Sequence, residues 1–405
     1  MTRADIDPAR IDVPSAGHFD CFDGLRAIAA TVVYLNHISI TRADSGLELR
    51  GFDRVTRAVL EGGDIGVAFF FAISGFLLYR PFVAAHLAGR RSPDLRAVAA
   101  RRALRIYPAY WVALVAAVVL LRSNVFLAGP SRWFAHLALV HMYIPESRID
   151  GVVPQGLLPS WTLVVEVTFY AFLPAYAYVV RRASTRTRPF VGEILGVAAV
   201  FGAGAATLVR AIDGGMPPWV TVLPIQLPLF ACGMALAVWS ARADSGLPFP
   251  RPITAAGRHP AACWAVAAGA YAGVVWLRLA DRLPPILGDR WWLVRIALHA
   301  ISATALLLPA VVGLEDGGRI RSFLRHPVVV FVGTISYGIY LWHTPIMYWI
   351  AEHVVGASWN LTLAGIVIGT VALPLTGAIA WASWRFLETP AIRMSRRVGA
   401  APAQT

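Results

Sequence analysis

The chain has 405 residues, of which 57% are hydrophobic and only 15% charged, with a mean hydropathy of +0.61. Soluble domains carry about 25% charged residues, so a soluble globular fold is excluded. The net charge of +13 comes entirely from arginine, since there is no lysine, and the arginines gather in alternate loops between apolar runs. That pattern marks membrane topology rather than a nucleic-acid surface.

Met1 to Phe22 hold Arg3, Arg10 and four aspartates but no apolar core, so no cleavable signal peptide is expected. The first apolar run, Gly24–Thr41, carries Arg26 near its start and His37 near its end. At about 100° per residue these two fall within about 20° of one helical face, separated by about 16 Å along the axis. Ionisable groups inside a membrane are costly and mark a pathway or a reaction centre.

Further runs of spanning length follow at Asp64–Phe82, Leu104–Leu121, Leu158–Val180, Phe190–Val209, Trp219–Trp239, His259–Leu277, Trp292–Leu314, Pro327–Ile350 and Leu361–Phe386. Between the second and third lie Arg80, Arg90, Arg91, Arg96, Arg101, Arg102 and Arg105. Later loops of the same parity hold Arg181–Arg188, Arg242–Arg258 and Arg319–Arg325, whereas Ala351–Asn360 has no arginine. The positive-inside bias therefore places both termini in the cytoplasm. Trp133–Ile144 is apolar but too short to span, and is expected as an interfacial or re-entrant helix on the outer face. His136 and His141 within it are about 140° apart on a helix, a poor metal pair, and read as interfacial polar residues. Gly192 with Gly196, and Gly365 with Gly369, form small-xxx-small pairs that allow close helix approach. Cys21, Cys232 and Cys263 are scattered and read as packing residues. His299, deep in the eighth run, reads as a satisfied core histidine.

The expected fold is thus an all-α polytopic membrane protein with about ten transmembrane helices. The membrane domain covers 24–390, flanked by a cytoplasmic segment (1–23) and a cytoplasmic tail (391–405).

Five ordered blocks and a short ending motif carry the chemistry. They are Phe22-Asp23-Gly24-Leu25-Arg26 with Asn36-His37; Gly66 to Leu77, ending Ser74-Gly75-Phe76-Leu77; and Arg101-Arg102-Ala103-Leu104-Arg105-Ile106-Tyr107-Pro108. Pro159-Ser160-Trp161-Thr162-Leu163 with Glu166 and Phe169-Tyr170 comes next, then Ser336-Tyr337-Gly338-Ile339-Tyr340-Leu341-Trp342-His343, and Glu388-Thr389-Pro390 follows near the end. Together they resemble the integral-membrane acyltransferase-3 family, whose members O-acylate sugars, glycolipids, surface polysaccharides and macrolides. The resemblance spans nearly the whole chain. Ala27 and Thr162 stand where the family often has glycine and serine. Some members continue into an extracytoplasmic hydrolase-like domain, and only the membrane module is recognisable here.

The residues support such chemistry independently. Acyl-CoA is polyanionic, and phosphates favour arginine forks; Arg102 and Arg105 lie one helical turn apart. Arg26 is expected to bind the donor or to partner Asp23 or Glu166. Ser74 and Gly75 are expected to let the acyl chain pass close to backbone. Imidazole takes a proton from a hydroxyl near neutral pH or accepts an acyl group itself, which makes His37 the leading catalytic candidate. Glu166, about 12 Å into its span, is expected to orient His37, pair with an arginine or hold the acceptor. His343 completes a histidine dyad or, with Tyr337, Tyr340 and Trp161, binds the acceptor.

The expected function is transfer of an acetyl or other short acyl group from cytoplasmic acyl-CoA, with acetyl-CoA the expected donor, to a hydroxyl of a sugar-containing acceptor. The expected setting is a bacterial inner membrane, with no resident cofactor, metal or nucleic acid. A transporter or flippase is the alternative reading, with the buried Arg, His and Glu forming a substrate or proton path. It calls for related halves with interrupted helices in matching positions, and no such internal symmetry is visible.

Overall fold

The computed structural model describes residues 19–44, 54–121, 129–144, 156–185, 188–214, 222–247, 249–279, 290–312, 318–355, 359 and 361–399. Among these there is no strand; the elements are helices. In chain order they are α1 (Phe22–Asp44), α2 (Arg54–Glu61), α3 (Ile65–Leu87), α4 (Leu95–Leu120), α5 (Pro130–Leu137) and α6 (Ser160–Ala183). Next come α7 (Pro189–Asp213), α8 (Leu223–Asp244), α9 (Arg251–Arg258), α10 (Pro260–Leu279) and α11 (Trp291–Val311). The last are α12 (Gly318–Leu324), α13 (Pro327–Thr334), α14 (Ser336–His353), α15 (Leu361–Ser383) and α16 (Thr389–Gly399), with a π-helical turn at Trp384–Glu388 between the final two.

Eight helical stretches among the described residues are long and apolar enough to cross a membrane. They coincide with the second to eighth and the tenth of the expected runs. The first run is helical as α1, but Arg26, Asn36 and His37 dilute its hydropathy. The ninth run, Pro327–Ile350, is not one continuous helix. It divides at Ile335 into α13 and α14, and Gly333 explains the close packing there, since a Cβ would strike the Asp23 carbonyl oxygen at the start of α1.

The third run begins earlier than the apolar pattern suggests. Asp94 accepts a hydrogen bond from the Arg96 amide at 3.0 Å and caps the helix at Leu95. Arg101, Arg102 and Arg105 therefore ride inside α4 rather than at its first turn. The Trp133–Ile144 segment is helical only to Leu137 and then turns. The helical-wheel argument thus fails for His136 and His141. Their rings stack at 4.4 Å with 27° between planes, and both are buried, not interfacial. No group of three or more metal-ligating side chains occurs among the described residues.

Two large apolar cores, with a small third cluster of Leu208, Ala211, Ile212 and Ile225, fill the bundle. One is built on α3, α6, α7, α8 and α11, the other on α1, α4, α6, α14 and α15. In the first, α3 and α8 touch backbone to backbone: a Cβ on Gly75 would collide with the Phe230 carbonyl oxygen, and one on Gly233 with that of Ala72. Gly192 and Gly196 of α7 make room for the Ser184 and Val180 side chains at the end of α6. Gly369 meets Ile38 of α1.

Charged residues also bind helices together. Arg278 of α10 reaches Glu61 at 3.2 Å and Asp64 at 3.0 Å, and Arg295 of α11 pairs with the same Asp64 carboxylate. His299 is buried as expected but is not satisfied: its Nε2 lies 3.5 Å from Asp64 Oδ1 and makes no hydrogen bond among the described residues. Buried Glu193 of α7 accepts from the Tyr79 hydroxyl and faces His86 Nδ1 at 2.5 Å, tying α7 to α3. Each such charge in an apolar interior persists because it is paired.

Candidate active site

Where the two cores meet, α1, α3, α4, α6 and α14 form the walls of a cavity. Arg26, Arg102 and Arg105 line it together with Glu166. Three guanidinium groups against one carboxylate give the cavity an excess of positive charge.

Three of these four charged groups have defined contacts. Arg26 Nη1 donates to Asp23 Oδ1 at 2.6 Å, one helical turn away. Glu166 Oε1 accepts from Tyr170 OH at 2.5 Å and from Ser74 Oγ at 3.0 Å, and the Arg102 guanidinium sits 5.7 Å from the Tyr170 ring centre. The Tyr170 contact is an i, i+4 pair on α6, a relation that the spacing in the sequence contains. The other wall, mainly α3, is apolar, with Val67, Phe70 and Leu77 facing the space. One side thus suits anionic oxygens and the other suits hydrocarbon.

His37 lies deeper, buried near the far end of α1. Its ring packs edge-on against that of His343 from α14, with centroids 4.8 Å apart and planes at 72°. Nδ1 of His37 lies 2.9 Å from the Val33 carbonyl oxygen, and Nδ1 of His343 lies 2.9 Å from that of Ile339. A carbonyl only accepts, so both Nδ1 atoms carry hydrogen and donate. Nε2 is then the basic nitrogen of each ring. The Tyr34 ring, one turn before His37, lies 6.0 Å from His343, and its hydroxyl donates to the Gly369 carbonyl at 2.6 Å.

Tyr340 joins the two compartments. It lines the cavity, its ring lies 6.1 Å from His343, and its hydroxyl is 2.5 Å from Thr162 Oγ1 and 3.3 Å from the Pro159 carbonyl oxygen.

Several expectations change in this light. Arg26, Arg102, Arg105, Ser74 and Glu166 do share one cavity, and His37 and His343 do form a pair. Glu166 is held by Ser74 and Tyr170, so the Val33 carbonyl, not this carboxylate, sets the orientation of His37. Gly75 does not border the cavity; it faces α8, because its missing Cβ is needed there. Trp161 meets Phe71 edge-on at 6.2 Å and packs against both apolar cores, so it serves packing rather than the cavity wall. Tyr337 lines the arginine cavity and donates to the Ile106 carbonyl at 2.8 Å, which puts it on the arginine side rather than beside His343. Glu388, to which sequence reasoning assigns no role, is buried in the π-helical turn that packs on α4, and Ser383 Oγ lies 3.4 Å from it.

A bundle of apolar helices with an internal arginine cavity beside buried imidazoles defines a polytopic membrane protein built around a polar reaction or transit site. Residues 19–385 match the acyltransferase domain model, and the chain belongs to the acyltransferase-3 family. It is similar to O-acetyltransferase OatA of Staphylococcus aureus, with 23% identity over 381 residues, which covers 91% of this chain and 56% of that protein. It is also similar to Nodulation protein 10 of Rhizobium leguminosarum bv. viciae, with 26% identity over 414 residues, which covers 94% of this chain and 95% of that protein. The chain therefore spans about half the length of OatA and nearly all of the nodulation protein. No solved structure matches.

Proposed function

We propose that the chain is a membrane O-acyltransferase that takes a short acyl group from cytoplasmic acyl-CoA and delivers it to a sugar hydroxyl. Arg26, Arg102 and Arg105 would hold the donor's phosphates, since three guanidinium groups facing one carboxylate favour a polyanion. The arginine asymmetry of the loops supports cytoplasmic termini, and with them a cavity that opens to the side where acyl-CoA is found. The bundle is then a bacterial inner-membrane domain of about ten spans.

The observation that carries the proposal is the juxtaposition of this cationic cavity with a buried histidine pair whose Nε2 atoms are the basic nitrogens. In transfer, Nε2 of His37 removes the proton as the acceptor oxygen attacks the thioester carbonyl. The carbon–sulfur bond breaks, and the departing thiolate is protonated by the imidazolium. Alternatively Nε2 itself attacks the thioester and hands the acyl group to the hydroxyl in a second step. His343 packs on the reactive ring and holds its plane. Similarity to the O-acetyltransferase OatA supports acetyl as the group and oxygen as its destination.

The test uses purified chain in lipid nanodiscs with acetyl-CoA and octyl β-glucoside as acceptor probe, following thiol release and the mass of the glycoside. Acetylated glycoside from the wild type and none from His37→Ala is the expected result. Wild-type protein that shows no acetyl-CoA binding above empty nanodiscs, and releases no thiol, would refute the proposal.

A further inference from the structure

We infer that Tyr170 is a positioning residue for the donor: it keeps the Glu166 carboxylate engaged and leaves Arg102 free to take a phosphate. The inference rests on the acyl-CoA reading above. Glu166 lines one cavity with Arg26, Arg102 and Arg105, yet no ion pair joins it to an arginine among the described residues. Opposite charges that share a cavity inside an apolar bundle ordinarily pair. Here the carboxylate accepts instead from two hydroxyls, both on Oε1: Tyr170 OH at 2.5 Å and Ser74 Oγ at 3.0 Å.

The ring of the same tyrosine serves the arginine. The guanidinium carbon of Arg102 lies 5.7 Å from the Tyr170 ring centre, inside the limit of about 6 Å for a cation–π contact. Arg102 makes no hydrogen bond and no ion pair among the described residues. A guanidinium carries its N–H donors in its own plane, so one held over a ring keeps that edge available to a ligand's oxygens. The contact also removes part of the rotamer freedom that a long side chain otherwise gives up on binding. Arg26 differs, because its Nη1 is already engaged by Asp23.

The other two tyrosines that line the cavity do neither. Tyr337 donates to the Ile106 carbonyl, and the Tyr340 hydroxyl lies against Thr162 and the Pro159 carbonyl. Tyr170 is placed by its i, i+4 relation to Glu166 on α6, while Ser74 comes from α3 and Arg102 from α4, so the network joins three walls of the cavity. Without the Tyr170 hydroxyl, Glu166 has one donor fewer, and the guanidinium groups are the strongest donors left beside it. A Glu166–Arg102 pair would then compete with an incoming phosphate for the same N–H groups.

The experiment titrates acetyl-CoA into nanodiscs holding the wild type, Tyr170→Phe, Tyr170→Phe with Glu166→Gln, Arg102→Ala, and Arg102→Ala with Tyr170→Phe. Tyr170→Phe keeps the ring and removes only the hydroxyl. It should weaken acetyl-CoA binding by about 5–10-fold, between the worth of an exposed ion pair and that of a hydrogen bond to a charged group. In thiol release the same variant should raise KM with little change in kcat. Adding Glu166→Gln should return the affinity toward that of the wild type, because the amide carries no charge to compete for Arg102. In the Arg102→Ala background Tyr170→Phe should have no further effect. Ser74→Ala removes the other hydroxyl from Oε1, should act in the same direction with the same rescue, and decides the matter if Tyr170→Phe is lost on purification. Unchanged affinity in Tyr170→Phe, a loss that Glu166→Gln does not rescue, or an equal loss in the Arg102→Ala background overturns the positioning role while the acyl-CoA reading stands. A wild type that binds no acetyl-CoA overturns both.

Discussion

Replacing His37 by alanine separates catalysis from folding because the two costs differ in size. The imidazole packs on His343 at 4.8 Å and donates to the Val33 carbonyl at 2.9 Å. A ring contact and a hydrogen bond contribute about 0.5–1.5 kcal/mol each, so their loss costs about 1–3 kcal/mol. Alanine's higher helix propensity offsets part of that. A general base contributes about 10²–10⁴-fold to rate, which is about 2.7–5.5 kcal/mol of barrier. His37→Ala should therefore insert, elute as a monodisperse species and bind acetyl-CoA with near-native affinity, yet release thiol at least 100-fold more slowly, on the order of the base contribution. Gel filtration, donor titration and a thiol assay on the same preparation check the three parts. A well-folded variant that keeps more than about a tenth of the wild-type rate would refute a chemical role for this nitrogen, and attention would pass to His343.

Arg102→Ala and Arg105→Ala should each raise the donor KM with little change in kcat, by roughly 10–150-fold if a charge-assisted contact of about 1.5–3 kcal/mol is lost; unchanged KM in both would remove them from the donor site. Glu166→Gln keeps the side chain's size and removes the carboxylate that lines the arginine cavity, so acetyl-CoA should bind no more weakly than to the wild type. Weaker binding, measured by titration, would show that Glu166 orders the arginines rather than balancing them. Single cysteines placed at Val398 and at Ser358 should label from opposite sides of the membrane, the first only after permeabilisation. Equal labelling of both in intact cells would reverse the topology argument.

Much of the bundle is legible in the sequence because spans are written in composition. Runs such as Phe190–Val209 and Leu361–Phe386 fall on α7 and α15 to within a few residues, since an apolar stretch of that length has few other solutions. Boundaries set by single polar residues are less visible. Asp94 starts α4 nine residues before the apolar run, and the ninth run divides at Ile335, beside the close approach of Gly333 to Asp23, at a place where hydropathy does not change. His136 and His141 escape the sequence argument for a related reason: their separation follows the pitch of a helix that ends at Leu137, and the turn beyond it brings the rings together.

The candidate site divides along the same line. Arg26 and His37 lie on one helix, so their spacing follows from the pitch alone, and the Arg102–Arg105 and Glu166–Tyr170 pairs are likewise one turn apart. Depth can also be counted, which is why His37 and Glu166 are expected within reach of each other. Which way each helix turns about its axis cannot be counted, because it is decided by contacts between helices. The packing of Gly75 on α8 turns Ser74 toward α6, and Glu166 is occupied by Ser74 and Tyr170 on the arginine side. His343 instead completes the histidine pair from α14, held to that face by Gly338 against Ala380 of α15. A carboxylate and an imidazole at similar depth thus end in different surroundings, Glu166 among the arginines and His37 against His343, and the roles proposed for them follow from that: charge balance for Glu166, proton or acyl transfer for His37.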